Sequence, residues 1–131
     1  CTDTRHFHTT KNGTDKHYFW TRYKYPLDEN TIRQHLLTLL YISDDNNVLI
    51  VFNKYTRDDF TLSMAFSLSH TVYFHGRPFN ANEWMLVELE STNSAHSRGL
   101  TRGRVWSAAG EMIASISQES VVRKKIEKTK L

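Results

Sequence analysis

DENTIRQHLLTLLYISDDNNVLIV, residues 28–51, carries a sustained helical period, and its reading decides the fold. Ile32, Leu36, Leu39, Leu40 and Ser43 fall at steps of three and four, so they line one helix face, and Leu37 widens it. Asp28 is placed to cap this helix, with Glu29 near its positive N-terminal end. The apolar run at 48–51 carries the helix to about residue 48 or beyond; the same run also reads as a short buried strand.

Outward from the helix the chain reads as strands. Upstream, 17–25 (HYFWTRYKY) is aromatic and strand-like, and residues 26–28 break it. Residues 1–16 are polar and read as a loop or linker. Downstream, 53–59 is a charged loop. Residues 64–75 (MAFSLSHTVYFH) alternate: Phe66, Leu68, His70, Val72 and Phe74 share one face, Ser67, Ser69, Thr71, Tyr73 and His75 the other. Further strands are expected at 84–90, 98–106 and 112–123, with a polar bend at 91–97 and a tight turn at 108–111 around Gly110. Trp84 and Leu86 are expected to face the core. The order is strand, helix, then four strands in an antiparallel meander. One helix cannot cover a sheet from two sides, so an α+β fold follows: one long central helix wrapped by a curved antiparallel sheet of five to six strands.

The 131 residues suit one domain, and 39% hydrophobic with 24% charged residues is a globular composition. No apolar run reaches the ~18 residues of a membrane span. Cys1 is the single cysteine, which excludes an internal disulfide. The first methionine is Met64, so the chain reads as a piece with other polypeptide upstream. An N-terminal cysteine can be a nucleophile, but a cut site in a longer chain is the reading preferred. His6 and His8 have the spacing of two metal ligands on one strand; no Cys, Asp or Glu joins them, so surface histidines are preferred and no metal is expected. Much of the net charge of +3 sits in Arg123, Lys124, Lys125, Lys128 and Lys130. No aromatic residue is interleaved with these, so a solvated basic tail at 124–131 is preferred over nucleic-acid binding.

Six pieces of the chain then bear on function: FWTRY (19–23), LLYISDDNNVL (39–49), SLSHTVYFH (67–75), RPFNANEWMLVELES (77–91), SRGLTRGRVW (97–106) and ASISQES (114–120). In this order and spacing they resemble the C-terminal half of the type II acyl-CoA thioesterases, over residues 17–123. The resemblance implies a hotdog domain, the C-terminal half of a double hotdog. It implies hydrolysis of fatty acyl-CoA to free acid and CoA, with no cofactor. It also implies a catalytic group of Asp44, Ser67 and Gln118, and an N-terminal hotdog half or a homodimer partner.

The residue types suit that chemistry. Water attacks a thioester carbonyl if it is held and partly deprotonated; a carboxylate accepts the proton, while an amide and a hydroxyl orient the water. Each residue also has a plainer reading. Asp44 opens a polar run with Asp45, Asn46 and Asn47 and could belong to a solvated helix end. Ser67 is one of several strand hydroxyls. Gln118 shares a face with Met112, Ala114 and Ile116, where a buried amide needs partners and could simply bridge backbone groups. Strict alternation puts His70, not Ser67, on the apolar face that Gln118 should share; a bulge near Ser67 would resolve the conflict. His70 itself reads better as a hydrogen-bonded core histidine than as a catalyst. Ser69 stands where the family usually has Asp, and Ser120 where it usually has Gly. These departures motivate the alternative of a catalytically silent hotdog domain that binds acyl chains or supports a catalytic partner. The ending Thr129, Lys130, Leu131 is similar to a peroxisomal address.

Overall fold

The computed structural model describes residues 1–11, 14–45, 47, 50–51 and 61–125, with backbone alone for 7–11 and 14–15. Six strands and one helix follow in the order β1 (Thr2–Lys11), β2 (Thr14–Tyr23), α1 (Ile32–Asp44), β3 (Leu62–Phe74), β4 (Met85–Ala95), β5 (Arg98–Trp106) and β6 (Met112–Lys124). All strands pair antiparallel in one sheet of order β1-β2-β4-β5-β6-β3. The helix packs against one face. This is the hotdog layout.

The first residues depart from expectation. Residues 1–16 are not a loop: β1 pairs with β2 along its whole length, from Thr2↔Tyr23 to Lys11↔Thr14. Thr-rich alternating sequence suits a pleated edge strand despite its polarity. The meander also holds only for β4, β5 and β6. The strand at 64–75 lies instead at the far edge beside β6, and β4 returns across the sheet to pair with β2. The bend expected at 91–97 is mostly strand. β4 continues to Ala95 past a bulge between Ser91 and Asn93, and His96 and Ser97 turn the chain with φ of 53° and 63°. Two successive positive φ values match the right-handed twist of the strands they join.

The helix starts later than the capping argument places it. Asp28 does not cap it. Its carboxylate accepts from the Asn30 backbone N–H at 3.0 Å and from the Thr31 hydroxyl at 2.8 Å, which braces the turn before Ile32. These bonds hold the Asp28 carboxyl below its ordinary value. α1 ends at Asp44, but Asn47, Ile50 and Val51 are again helical and buried, so the run at 48–51 is not a strand where it is described. Val48, Leu49 and the loop at 53–59 lie outside the described residues.

The buried helix face is His35, Thr38, Leu39, Ile42 and Ser43. Ile32, Leu37 and Leu40, expected inward, are exposed. Against the buried face stand Phe19, Met85, Val87, Leu89, Val105, Ile113, Ala114 and Ile116 from the sheet. His35 is buried because its Nδ1 accepts the Ala81 N–H at 3.1 Å. Met85, Val87 and Leu89 fill the inner face of β4, so Trp84 and Leu86 belong to the outer side, contrary to expectation. Trp84 is half-buried there under two guanidinium groups, Arg5 at 4.9 Å and Arg22 at 4.7 Å from the ring centroid.

Two inner-face glycines let the layers close. A Cβ on Gly99 would run into the Val51 side chain, and one on Gly103 would stand 2.6 Å from Leu89 Cδ2. At the other end of β5, the turn after Trp106 runs as expected. Gly110 sits at φ 79°, with its N–H on Ser107 O at 2.9 Å.

Candidate active site

The parity conflict on β3 is resolved by a bulge. Ser67 pairs with Ser120 and Ser69 with Glu119, so two steps on β3 match one on β6 and Leu68 is the extra residue. Past the bulge, His70 pairs with Gln118. Ser67, of odd number, and His70, of even number, therefore both turn toward the same inner-face residue.

That residue is fully buried, and its amide is satisfied at both ends. Gln118 Nε2 donates to Ser67 Oγ at 2.7 Å, and Gln118 Oε1 lies 2.5 Å from His70 Nδ1. A carbonyl oxygen can only accept, so this orientation of the amide requires the proton on Nδ1. The other ring nitrogen, Nε2, lies 2.8 Å from Ser43 Oγ on α1. Ser43 Oγ is also 2.7 Å from Leu40 O. Its single proton can go to only one of the two acceptors at a time, Leu40 O or the ring nitrogen. Asn47 adds a bond from its amide to Ser43 O, and Thr101 Oγ1 donates to Asn47 O at 3.3 Å. A polar seam thus runs from the helix end to the edge strand through an otherwise apolar core.

Asp44 is the last residue of α1, one after Ser43. Its Oδ1 lies 3.9 Å from His70 Nδ1, and its side chain is 59% exposed. It borders an open groove of about 790 Å³ between α1 and β3. Leu37, Leu40, Tyr41 and Leu68 form apolar walls of that groove; Asp44, Asp45, Ser67 and His70 form its polar stretch. The structure thus brings Ser67 and Gln118 into direct contact and sets Asp44 beside His70 Nδ1, the ring nitrogen that meets Gln118. His70 is hydrogen-bonded, as the sequence reading expects, but its partners were not foreseen: Ser43 reads from sequence as a helix-face residue and Asn47 as part of a polar run. The signal for His70 was a titratable residue on an apolar strand face opposite an equally misplaced glutamine.

The two departures from the family pattern fall differently. Ser69 is exposed. Ser120 is fully buried, and its Oγ has no hydrogen-bond partner among the described residues.

Elsewhere, Glu88 anchors an ion cluster on the outer face of the sheet. Tyr18 donates to Glu88 Oε2 at 2.7 Å and Arg104 Nε to Oε1 at 2.9 Å, with Lys16 Nζ at 3.5 Å. Burial alone would push the Glu88 carboxyl up. The bonds from Tyr18 and Arg104, and the charges of Arg104 and Lys16, outweigh it and hold the group below its ordinary value. The bond to Glu88 in turn pushes the Tyr18 hydroxyl up. His6 meets His17 rather than a metal-ligand cluster, with Nδ1 and Nε2 3.1 Å apart; the His8 side chain lies outside the described residues. Among the described residues no group of three or more His, Cys, Asp or Glu is placed to hold a metal, and no helix is long and apolar enough to cross a membrane.

Comparison with known proteins agrees with this layout. The family model described as acyl-CoA thioesterase C-terminal domain matches residues 2–122. Acyl-coenzyme A thioesterase 8 of Rattus norvegicus is 34% identical over 110 residues, which is 84% of this chain and 34% of that protein. Peroxisomal acyl-coenzyme A thioester hydrolase 1 of Saccharomyces cerevisiae is 29% identical over 113 residues, 86% of this chain and 32% of that protein. The crystal structure of an acyl-CoA thioesterase II from Mycobacterium marinum superposes with a TM-score of 0.79 at 26% identity, covering 95% of this chain and 49% of that one. The chain spans about a third of the length of these two relatives.

Proposed function

We propose that this chain, which belongs to the family of acyl-CoA thioesterase C-terminal domains, hydrolyses fatty acyl-CoA to free acid and CoA by activating a water. Asp44 takes the proton from that water as it attacks the thioester carbonyl. Ser67, held in place by the buried Gln118 amide, orients the water, and confinement of this kind lowers a barrier by about 7 kcal/mol or more in the best cases. The acyl chain lies against Leu37, Leu40, Tyr41 and Leu68 in the groove. The observation that carries the reading is the fully buried Gln118 amide bonded to Ser67 at the groove, since a buried amide aimed at a hydroxyl costs more than an apolar residue unless it is used.

An N-terminal hotdog half, or a second copy, is the partner proposed for the exposed edge strand β3. Peroxisomal residence is proposed from the likeness to the peroxisomal thioester hydrolase of Saccharomyces cerevisiae. The competing reading is a silent domain, which the departures at Ser69 and Ser120 favour, the Ser120 hydroxyl having no partner among the described residues. A panel of acyl-CoAs of different chain lengths, assayed for release of the CoA thiol by the full protein, separates the two. Turnover that follows chain length supports hydrolysis; saturable acyl-CoA binding without thiol release supports the silent domain.

A further inference from the structure

We infer that His70 is a positioning residue that fixes which way round the Gln118 amide sits, and thereby leaves the Ser67 hydroxyl proton free for the groove. The inference deepens the hydrolytic reading above and rests on it for its kinetic consequence.

A glutamine amide is nearly symmetric in shape, so packing alone does not choose between its two orientations. In one, Nε2 donates to Ser67 Oγ and Oε1 accepts from His70 Nδ1, as observed. In the other, Ser67 would spend its own proton on Oε1, and His70 Nδ1 would have to be the unprotonated nitrogen. The choice is therefore set by where the imidazole carries its proton. Two neighbours favour Nδ1. The Asp44 carboxylate, 3.9 Å from Nδ1, favours the N–H dipole on that side, and Ser43 Oγ, 2.8 Å from Nε2, lets that nitrogen accept once the hydroxyl proton turns from Leu40 O, 2.7 Å away, to the ring. Ser43 is itself 1% exposed, so it serves as an anchor rather than as a nucleophile. With the amide held in the observed sense, Ser67 accepts from Gln118, and its own O–H is left to point at a water or a substrate oxygen. The bulge at Leu68 makes this possible, because without it Ser67 and His70 would lie on opposite faces of β3.

Two near-isosteric substitutions separate this role from space-filling. In His70→Asn the side-chain amide occupies the place of Nδ1 and can still donate to Gln118 Oε1. In His70→Gln the amide reaches the place of Nε2 and Ser43, and the Nδ1 donor is lost. We expect His70→Asn to keep kcat within about 3-fold of wild type, while His70→Gln and His70→Ala lose roughly 10- to 100-fold in kcat with KM little changed. Nitrogen NMR of the wild type should place the ring proton on Nδ1. The Gln118 side-chain amide protons should resist exchange in wild type and His70→Asn but not in His70→Gln. Equal losses in the Asn and Gln variants, a wild-type kcat in folded His70→Ala, or a ring proton on Nε2 would overturn the inference. If the wild type releases no thiol from any acyl-CoA, the hydrolytic reading fails separately, and the ring proton and amide exchange alone then decide the claim about Gln118.

Discussion

At the scale of single residues, the bulge at Leu68 governs what each site side chain should contribute. Because it turns Ser67 inward to within 2.7 Å of Gln118, Ser67→Ala should lower turnover by about 10-fold or more rather than leave it untouched. Gln118→Ala should lower turnover as well and cost roughly 1–3 kcal/mol of stability, since it strips a partner from buried groups; thermal melting run beside the kinetics checks both. Ser120 gives the opposite expectation. Its buried hydroxyl has no partner among the described residues, so Ser120→Ala should be neutral or stabilising by up to about 1–2 kcal/mol in urea denaturation. A clear loss would mean that the hydroxyl is satisfied. The family resemblance brought out Ser67 and Gln118, and alternation, a local property, brought out the parity conflict between them. Neither could reveal that His70 bridges Gln118 and Ser43, because those residues meet only through strand register and the placement of the helix on the sheet.

At the scale of elements, β4 shows where a local pattern misleads. WMLVELE has apolar residues on both parities, and Trp84 outweighs any other by size. The acidic Glu88 and Glu90 share its parity, however, and they mark that side as the outer face. Trp84→Ala should therefore cost about 1–2 kcal/mol, the value of two partly exposed cation–π contacts, instead of the ~3–5 kcal/mol of a buried aromatic. A larger shift of the denaturation midpoint would restore the inward reading. Glu88 on the same face gives a pH expectation. Its folded carboxyl lies below its ordinary value, so its contribution to stability is complete above that value and is lost as pH falls through the lowered folded one. Glu88→Gln should lose stability at neutral pH, and its acid unfolding limb should flatten below about pH 4.5 relative to wild type. At 1–16 polar composition obscured a strand, since Thr2–Lys11 pairs with Thr14–Tyr23 along its whole length.

At the scale of the whole molecule, the edge strand and the helix leave an apolar surface uncovered. Met64, Phe66, Leu68 and Phe74 on β3 are 41–45% exposed, and Leu37, Leu40 and Tyr41 on α1 are 42–63% exposed. An unpaired strand edge beside such a surface calls for a partner. Sedimentation of the 131-residue chain should accordingly show self-association that Phe66→Glu weakens; a monodisperse, fully active monomer would contradict this. The resemblance implied an N-terminal hotdog half or a homodimer partner, but which side chains stand uncovered could not be read from the sequence, because exposure is set by how the helix lies on the sheet. The direct test is CoA-thiol release from a fatty acyl-CoA by the full protein, wild type against Asp44→Asn, with melting in parallel. The account predicts turnover falling by about 100-fold or more and stability within about 0.5 kcal/mol, because the carboxylate is largely exposed and the amide nearly isosteric. Wild-type turnover in a folded Asp44→Asn protein would contradict it.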